Sequence, residues 1–424
     1  MVPEPVRMRM RILTGLLLLG CVALSFAAQG PKHRSLRAYA MGNAHVAIAD
    51  DKEAIYYNYA GLNQLGRLGN FKKNPELGYY PSNYIDLRFN FGGAGPINEI
   101  RGVYDFSSDV YDLYKKARDA AHDDGSSVKR AFVDSLSSHP ELSKKLNKFD
   151  HELFTLIAKA DAEIALHNFG AALWVFGATS PYIDNGIIIP FFGVDTFYVD
   201  AVAQMGGAYG LSENLAVGAG LKLASRMAAK SFQIDVAGFE TIGDTLNDRV
   251  EEAAEEFFDF DEMGIGMDLG VLYRLNREVK LGASCNNIFF TELNGERILP
   301  NLTLGVAYSP RRLNRNTAFS RKVNFALDFE NALSTEHNYK TLSHLNFGVE
   351  LEQVLLAFPG ENDNYRLLKL RLSGGFHGGY PSVGVAFEMF RFVEFEFATW
   401  GEESGYYTGQ NENRIYMAEF SLGF

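Results

Sequence analysis

Several things are scarce in this chain, and each scarcity excludes a class. Of 424 residues only two are Cys and two are Trp, so no disulfide-stapled scaffold is available. Positive charge is short: 40 Lys and Arg face 52 Asp and Glu, a formal charge of −12. That argues against a nucleic-acid binder, because phosphate contacts need Lys and Arg. After the first 28 residues no second run of about 18 apolar residues occurs, which excludes a polytopic helical membrane protein. The chain carries no G-x-S-x-G, Walker A or H-E-x-x-H motif. Its nine His residues are scattered without metal spacing. No catalytic, cofactor or metal site is therefore expected, and no enzymatic activity. What the chain does have is 47% hydrophobic residues, with 41 Gly, 33 Phe and 21 Tyr, too apolar for a disordered protein.

The one long apolar run lies at the start. Arg7, Arg9 and Arg11 precede the apolar residues 12–27, and the small residues Ala27 and Ala28 follow. This reads as a signal peptide over residues 1–28. A retained anchor is the alternative, but the run is short of the roughly 20 residues a spanning helix needs. A lipobox reading of Leu18–Cys21 is disfavoured because apolar residues continue beyond the Cys. Removing three Arg and one Glu with this leader takes the formal charge from −12 to −14 and leaves Cys285 as the single Cys.

Period-2 alternation recurs through the rest. Residues 263–275 place Met263, Ile265, Met267, Leu269, Val271 and Tyr273 on one face and Gly264, Gly266, Asp268, Gly270 and Arg274 on the other. Segment 214–226 sets Leu215, Val217, Leu221 and Leu223 against Gly218, Gly220, Lys222 and Arg226. Asp328, Glu350, Lys369 and Arg371 occupy polar faces of later segments. Fifteen stretches read as strands: 76–83, 86–93, 99–106, 164–178, 194–209, 214–228, 262–275, 278–289, 299–309, 320–331, 341–353, 364–375, 381–390, 391–400 and 412–424. Many run 10–13 residues, beyond the usual globular mode of about five or six and matched to the roughly 9–11 that cross a bilayer at a tilt. Their polar faces mix Gly with both signs of charge, as a filled lumen requires. A soluble β-sandwich is the architectural alternative. The last strand ends in Phe420, Leu422 and Phe424 on one face, a pattern that resembles the signal read by the outer-membrane barrel assembly machinery.

Two segments depart from this pattern. Residues 107–161 read as three amphipathic helices, a long insert in one loop. Residues 240–262 contain the run Glu251–Glu256 and further acids. The spacing of a calcium loop is absent, so this reads as a solvated acidic loop, placed among lipopolysaccharide-bound cations and outer-membrane lipid.

Residues 36–64, LRAYAMGNAHVAIADDKEAIYYNYAGLNQ, resemble the N-terminal hatch of FadL-like outer-membrane transporters and of their PorV-like and TraF-like relatives. The matching positions include Arg37, Met41, Gly42, Asp50, Asp51, Asn58, Ala60, Gly61 and Leu62. Tyr59 stands where that pattern has Pro. Residues 373–409 are similar to the final hairpins of the TraF-like branch. The resemblance implies an all-β membrane protein: a transmembrane antiparallel barrel of about 14 strands (73–424), a hatch (29–72) inside it and the helical loop insert, in the bacterial outer membrane. It implies passive transport of a small hydrophobic ligand in the FadL branch, with substrate entering from outside at an apolar pocket. In the PorV-like branch it implies a scaffold or secretion-partner role, with 107–161 as docking surface. Small residues at 38, 40, 42, 44, 47 and 49 suit a segment packed inside a barrel. Asp50 and Asp51 are expected to pair with lumen cations such as Lys222, Arg226, Arg274, Lys369 or Arg371, or to cap the helical turn after them.

Overall fold

The computed structural model describes residues 30–65, 85–94, 109–120, 125–142, 144, 155–184, 191–229, 232–235, 263–293, 295–314, 319–333, 341–359, 364–390, 392–403, 408–410 and 412–423. The leader, the acidic loop, the strand candidates 76–83 and 99–106, and Phe424 fall outside these.

Among the described residues, alternating segments give fourteen long strands. They are β1 (Ile85–Ala94), β2 (Leu156–Leu166), β3 (Phe169–Asp184), β4 (Phe191–Gly210), β5 (Leu215–Ala229), β6 (Gly264–Arg274), β7 (Val279–Ile288), β8 (Asn301–Tyr308), β9 (Arg321–Phe329), β10 (Leu345–Pro359), β11 (Asn364–His377), β12 (Tyr380–Met389), β13 (Val393–Glu403) and β14 (Glu412–Gly423). Each pairs antiparallel with its neighbours in sequence, and Phe232–Asp235 continues β5 along β4. The ring closes because β1 also pairs with β14, from Arg88 opposite Gly423 to Ala94 opposite Met417. Among the described strands no edge is left to expose unpaired N–H and C=O groups, the condition for a sheet in lipid. Among the described residues no helix is long and apolar enough to cross a membrane.

One end carries tight connections, at 167–168, 211–214, 275–278 and 390–392. The other carries the long loops, including 95–155 and 330–344. By the usual rule for such barrels, short turns face the periplasm and long loops the exterior. The helical insert is therefore on the exterior side. Residues 109–120 are helical, as is α3 (Gly125–Ser137), and Val110, Leu113, Ala117, Val128 and Phe132 are buried there.

Polarity is inverted across the wall. Leu221 is 60% exposed while its neighbour Lys222 is 7% exposed. Leu173, Met205, Ile265, Leu304, Leu327 and Phe387 face outward in the same way. Asp161, Glu163, Asp200, Asp268, Asp328, Glu350 and Arg371 are buried inside. The apolar core is at the lumen, where Leu36, Tyr39, Ile55 and Leu62 of the N-terminal segment pack with Trp174, Phe176, Trp400 and Met417 of the wall.

One reading needs correction. The insert does not reach residue 161, and 164–178 is not one strand. β2 begins at Leu156 and turns through His167 and Asn168 into β3. Its inward face carries Lys159, Asp161 and Glu163, but its outward face is largely Ala158, Ala160 and Ala162. Such a face carries little apolar contrast, and the helix-like spacing of Leu153, Leu156 and Ile157 in the sequence outweighs it.

Candidate functional site

The described part of the hatch, residues 30–65, enters the lumen near the long-loop end and leaves near the short-turn end. Gly30 lies against Asn287 and Ile298, at the exterior end of the wall. At the other end Leu62 O accepts from Asn168 N, 3.1 Å. Local structure comes in three short pieces: α1 (Leu36–Ala40), α2 (Ala54–Tyr57) and a 3-10 helix (Tyr59–Gln64). Ser35 caps α1 by accepting from Ala38 N, and Asn58 caps the 3-10 helix by accepting from Ala60 N. None is long enough to be stable alone in water; the wall holds them.

Arg37 is the centre of that hold. It is 3% exposed. Its Nε and Nη2 donate to the two carboxylate oxygens of Glu350 on β10, at 2.7 and 2.6 Å. Nη1 donates to Asp50 at 3.2 Å and to Asp51, and Nη2 also reaches Glu352 at 3.3 Å. Asp50 is shared with Lys322 on β9. Asp50 and Asp51 thus pair with Arg37 and Lys322, not with the five cations expected from sequence. Those five are placed otherwise. Lys222 pairs with Asp268 at 2.9 Å. Arg226 meets Asp200 through two bonds, 2.6 and 2.8 Å. Lys369 pairs with Glu388 at 2.5 Å, and Arg371 with Glu394 and Glu396, both 2.9 Å. Arg274 stands half-buried near the short-turn end. Asp51 also accepts from Glu53 N at 3.0 Å, so it supports the following turn as well.

The backbone of the hatch is gripped by wall side chains. Asp328 Oδ2 accepts from His45 N and Val46 N, 2.7 and 2.8 Å. Lys280 donates to Ile48 O and to Gln64 Oε1, 3.1 and 2.9 Å. Asn58 Nδ2 donates to Val271 O on β6, 3.1 Å. On the opposite side Lys52 pairs with Glu163 at 2.5 Å, and Tyr56 Oη donates to the same carboxylate at 2.7 Å.

Glycines in the wall admit the hatch. A Cβ at Gly348 would lie 2.2 Å from Met41 O, and one at Gly270 would lie 2.1 Å from Asn58 Oδ1. Gly42 itself has φ +66° and approaches Phe347 O and Phe376 O closely. Tyr59, in place of the pattern's Pro, lays its ring in a trough where a Cβ at Gly220 would be 2.2 Å away. Ala60, Gly61 and Leu62 follow in close contact, and a Cβ at Gly61 would lie 2.1 Å from Ala49 O. Phe420 and Leu422 are elsewhere, on the outer face of β14, with Leu422 exposed and Phe395 against Phe420.

Electrostatics differ between the carboxylates of the hatch. Burial would raise Asp50, but Lys322, Arg37 and Lys280 outweigh it and hold the group below its usual range. Asp51 is held low against burial by Arg37 and His45. Burial pushes Glu53 up to about 8; Lys52 opposes the rise, and Asp51 and Glu163 add to it. The folded state therefore binds a proton at Glu53 that the unfolded chain has released, so its contribution to stability falls as pH rises from about 4.5 to about 8. Glu53→Gln is expected to flatten the decline in hatch seating over that window. Limited proteolysis of the hatch across pH checks it; an unchanged profile would count against the assignment.

A closed ring with lipid-compatible side chains outside and paired charges inside decides what the molecule is. The chain is an outer-membrane β-barrel. No protein-family model matches it, and no curated protein matches it. Its backbone is similar to the Pseudomonas putida toluene transporter TodX, with a TM-score of 0.43 and 12% identity over 93% of this chain and 99% of that one. It is also similar to the CymD monoaromatic hydrocarbon channel (0.42, 10% identity, 94% and 99% coverage). A bacterial polysaccharide outer membrane secretin is more distant (0.33, 9% identity, 80% and 98% coverage).

Between the hatch and the long loops lies a chamber of about 1290 Å³. The position matches the pocket expected at the exterior end, but the lining is not apolar. Lys32, Arg34, Glu330 and Glu402 share it with Tyr39, Tyr56 and Trp174. Lys32 pairs with Glu330 at 2.5 Å, and Arg34 Nη2 donates to Glu402 at 3.3 Å. His33 stacks on Tyr56 with ring centroids 3.6 Å apart and meets Trp174 edge-on at 5.6 Å. Among the described residues no group of three or more His, Cys, Asp or Glu is arranged to hold a metal ion. Residues 401–403 lie within the stretch 373–409 that resembles the final hairpins of the TraF-like branch, while Glu330, just after β9, carries no motif; their placement around residues 30–34 makes them a site.

Proposed function

We propose that this barrel is a passive outer-membrane channel for small organic compounds of hydrophobic or amphipathic character, and that the N-terminal hatch is its gate. The observation that supports this most is the division of labour between wall and hatch. The ring is closed by strand pairing alone, so the wall does not need the hatch in order to close. The hatch is held by side-chain ion pairs and close packing, which can be exchanged without breaking the sheet. Solute collects in the exterior chamber beside the half-buried ring of Tyr56, and passes when the hatch shifts. Such a ring supplies an apolar surface with a polar edge, suited to amphipathic compounds rather than to ions. Cells lacking the protein are expected to take up aromatic hydrocarbons or fatty acids more slowly than cells producing it. Equal uptake by the two would sink the reading.

A further inference from the structure

The rim of the barrel at its short-turn end is unevenly charged. We propose that one sector of it, built from the turn 275–278 and the residues that follow β8, binds anionic phospholipid of the periplasmic leaflet. The arginines there hold the lipid phosphate, and its acyl chains lie on the outer faces of β6 to β9. This inference rests on the barrel fold and is independent of the channel reading.

Four observations carry this. The first is charge. Arg277, Arg311 and Arg312 are exposed, and Arg321 opens β9 beside them. The one acid among the described residues of these two connections is Glu278; the next turn, 211–214, adds Glu213. The described residues of the other short connections, 167–168, 211–214, Phe390 and Phe392, include no Lys or Arg. In a chain with a formal charge of −12, basic charge is thus gathered in one sector. Among the described residues Arg277, Arg311 and Arg312 form no ion pair, whereas Lys222, Arg226, Lys369 and Arg371 in the lumen are all paired. The second is that the two connections form one surface. Glu278 Oε1 accepts from Arg311 N at 2.9 Å, and Glu278 O accepts from Ser309 N at 2.7 Å. The third is depth. Alternation along β9 puts Lys322 on the lumen face with Asn324, Ala326 and Asp328, and Arg321 on the outer face below Leu327, Phe325 and Val323. A guanidinium on the lipid face is costly at the middle of a bilayer and nearly free at its interface, so Arg321 lies at the level of the headgroups. Its Nε donates to Gln353 Oε1 at 2.9 Å, and its Nη groups have no partner among the described residues. The fourth is apolar surface beside the charge. Leu275, Leu313 and Phe319 are 56%, 46% and 52% exposed, and the rings of Tyr308 and Phe325 lie together 6.1 Å apart on the same outer face. Guanidinium forks match phosphate oxygens in geometry and charge. Basic charge at a membrane surface selects anionic over zwitterionic lipid. A phosphate that carries acyl chains answers both the arginines and the apolar residues, and a free phosphate answers only the first.

The test uses the whole barrel in a non-ionic detergent. It is titrated with dioleoylphosphatidylglycerol and, separately, with dioleoylphosphatidylcholine, and bound lipid is counted by native mass spectrometry. The anionic lipid is expected to bind about fivefold more tightly than the zwitterionic one. Combining Arg277→Gln, Arg311→Gln and Arg312→Gln is expected to bring the two lipids within about twofold of each other. These side chains are exposed, and heat-modifiable gel mobility confirms that the variant is folded. Lys115→Gln, Lys116→Gln and Lys144→Gln together are the matched control: they remove the same charge from exposed positions of the helical insert and are expected to leave the preference as in wild type. Inorganic phosphate at the lipid's own concentration is expected to displace none of the bound lipid. Equal binding of the two lipids by wild type overturns the proposal. So does a preference that survives in the arginine variant, or one that the control loses equally. Displacement by inorganic phosphate would assign the arginines to free phosphate and overturn the lipid site.

Discussion

Replacing Arg37 by Met is expected to release the hatch from a barrel that remains folded. Arg37 is the cation that Asp50, Asp51, Glu350 and Glu352 share. Without it those carboxylates stand together inside the lumen, with Lys322 and Lys369 as the nearest compensation for Asp50 and Glu352. Glu350 would lose the bidentate partner that now lies at 2.7 and 2.6 Å, keeping Asn324 at 3.2 Å and the more distant Arg371 at 4.0 Å. Removing one partner of a buried pair costs about 3–5 kcal/mol, because the remaining charge is left unsolvated. The barrel wall can escape that penalty by expelling residues 36–51 and admitting water. The measurements are single-channel conductance in planar bilayers and proteolysis of the hatch. Both are expected to rise well above wild type, with heat-modifiable mobility unchanged. Adding Glu350→Gln to Arg37→Met removes part of the repulsion and is expected to restore part of the block. A variant as closed as wild type would show that packing alone seats the hatch.

The second large effect comes from the wall. Gly348→Val places a side chain where Met41 O lies 2.2 Å from the ideal Cβ position. Val suits a strand, so the ring of hydrogen bonds from β9 to β11 has no reason to fail. The hatch must move instead, because backbone atoms at that distance cannot be accommodated by a rotamer change. Overpacking of this kind costs about 1–3 kcal/mol, occasionally more, and all of it falls on hatch seating. Expected results are raised conductance and a hatch open to protease. Gly374→Ala is the matched control: its Cβ would meet only Ser382 O, at 3.7 Å, and it is expected to behave as wild type. If both variants stayed closed, the close approach of hatch and wall would not be what excludes larger residues at position 348.

These two variants also mark where sequence reading succeeds and stops. Arg37, Met41, Gly42, Asp50 and Asp51 stand out because residues 36–64 resemble the hatch of FadL-like transporters and their relatives, and the small residues and paired acid there suit that place. Their partners do not. Lys322 and Glu352 are alternate residues in strands that repeat the same polar-apolar pattern many times, so nothing local separates Lys322 from Lys369. Glu350 lies 313 positions from Arg37. The wall glycines read as a generic feature of polar strand faces, and only the path of the hatch distinguishes Gly348 and Gly270 from Gly374. β2 was hidden for a different reason: its outward alanines carry almost no hydrophobic contrast.

The sequence by itself determined strands with one apolar and one polar face, because side-chain alternation along a strand is a local property with period two, and their length and mixed charge pointed to a barrel wall. The resemblance of its N-terminal segment to a hatch implied a place in the lumen, which its small residues suit. Only the tertiary structure decided the ring of fourteen with β1 against β14, the depth to which the hatch is threaded, the choice of Lys322 and Glu350 as its anchors, and the polar chamber in front of it. Each of those depends on register between residues hundreds of positions apart. Closure sets that register for the whole ring at once.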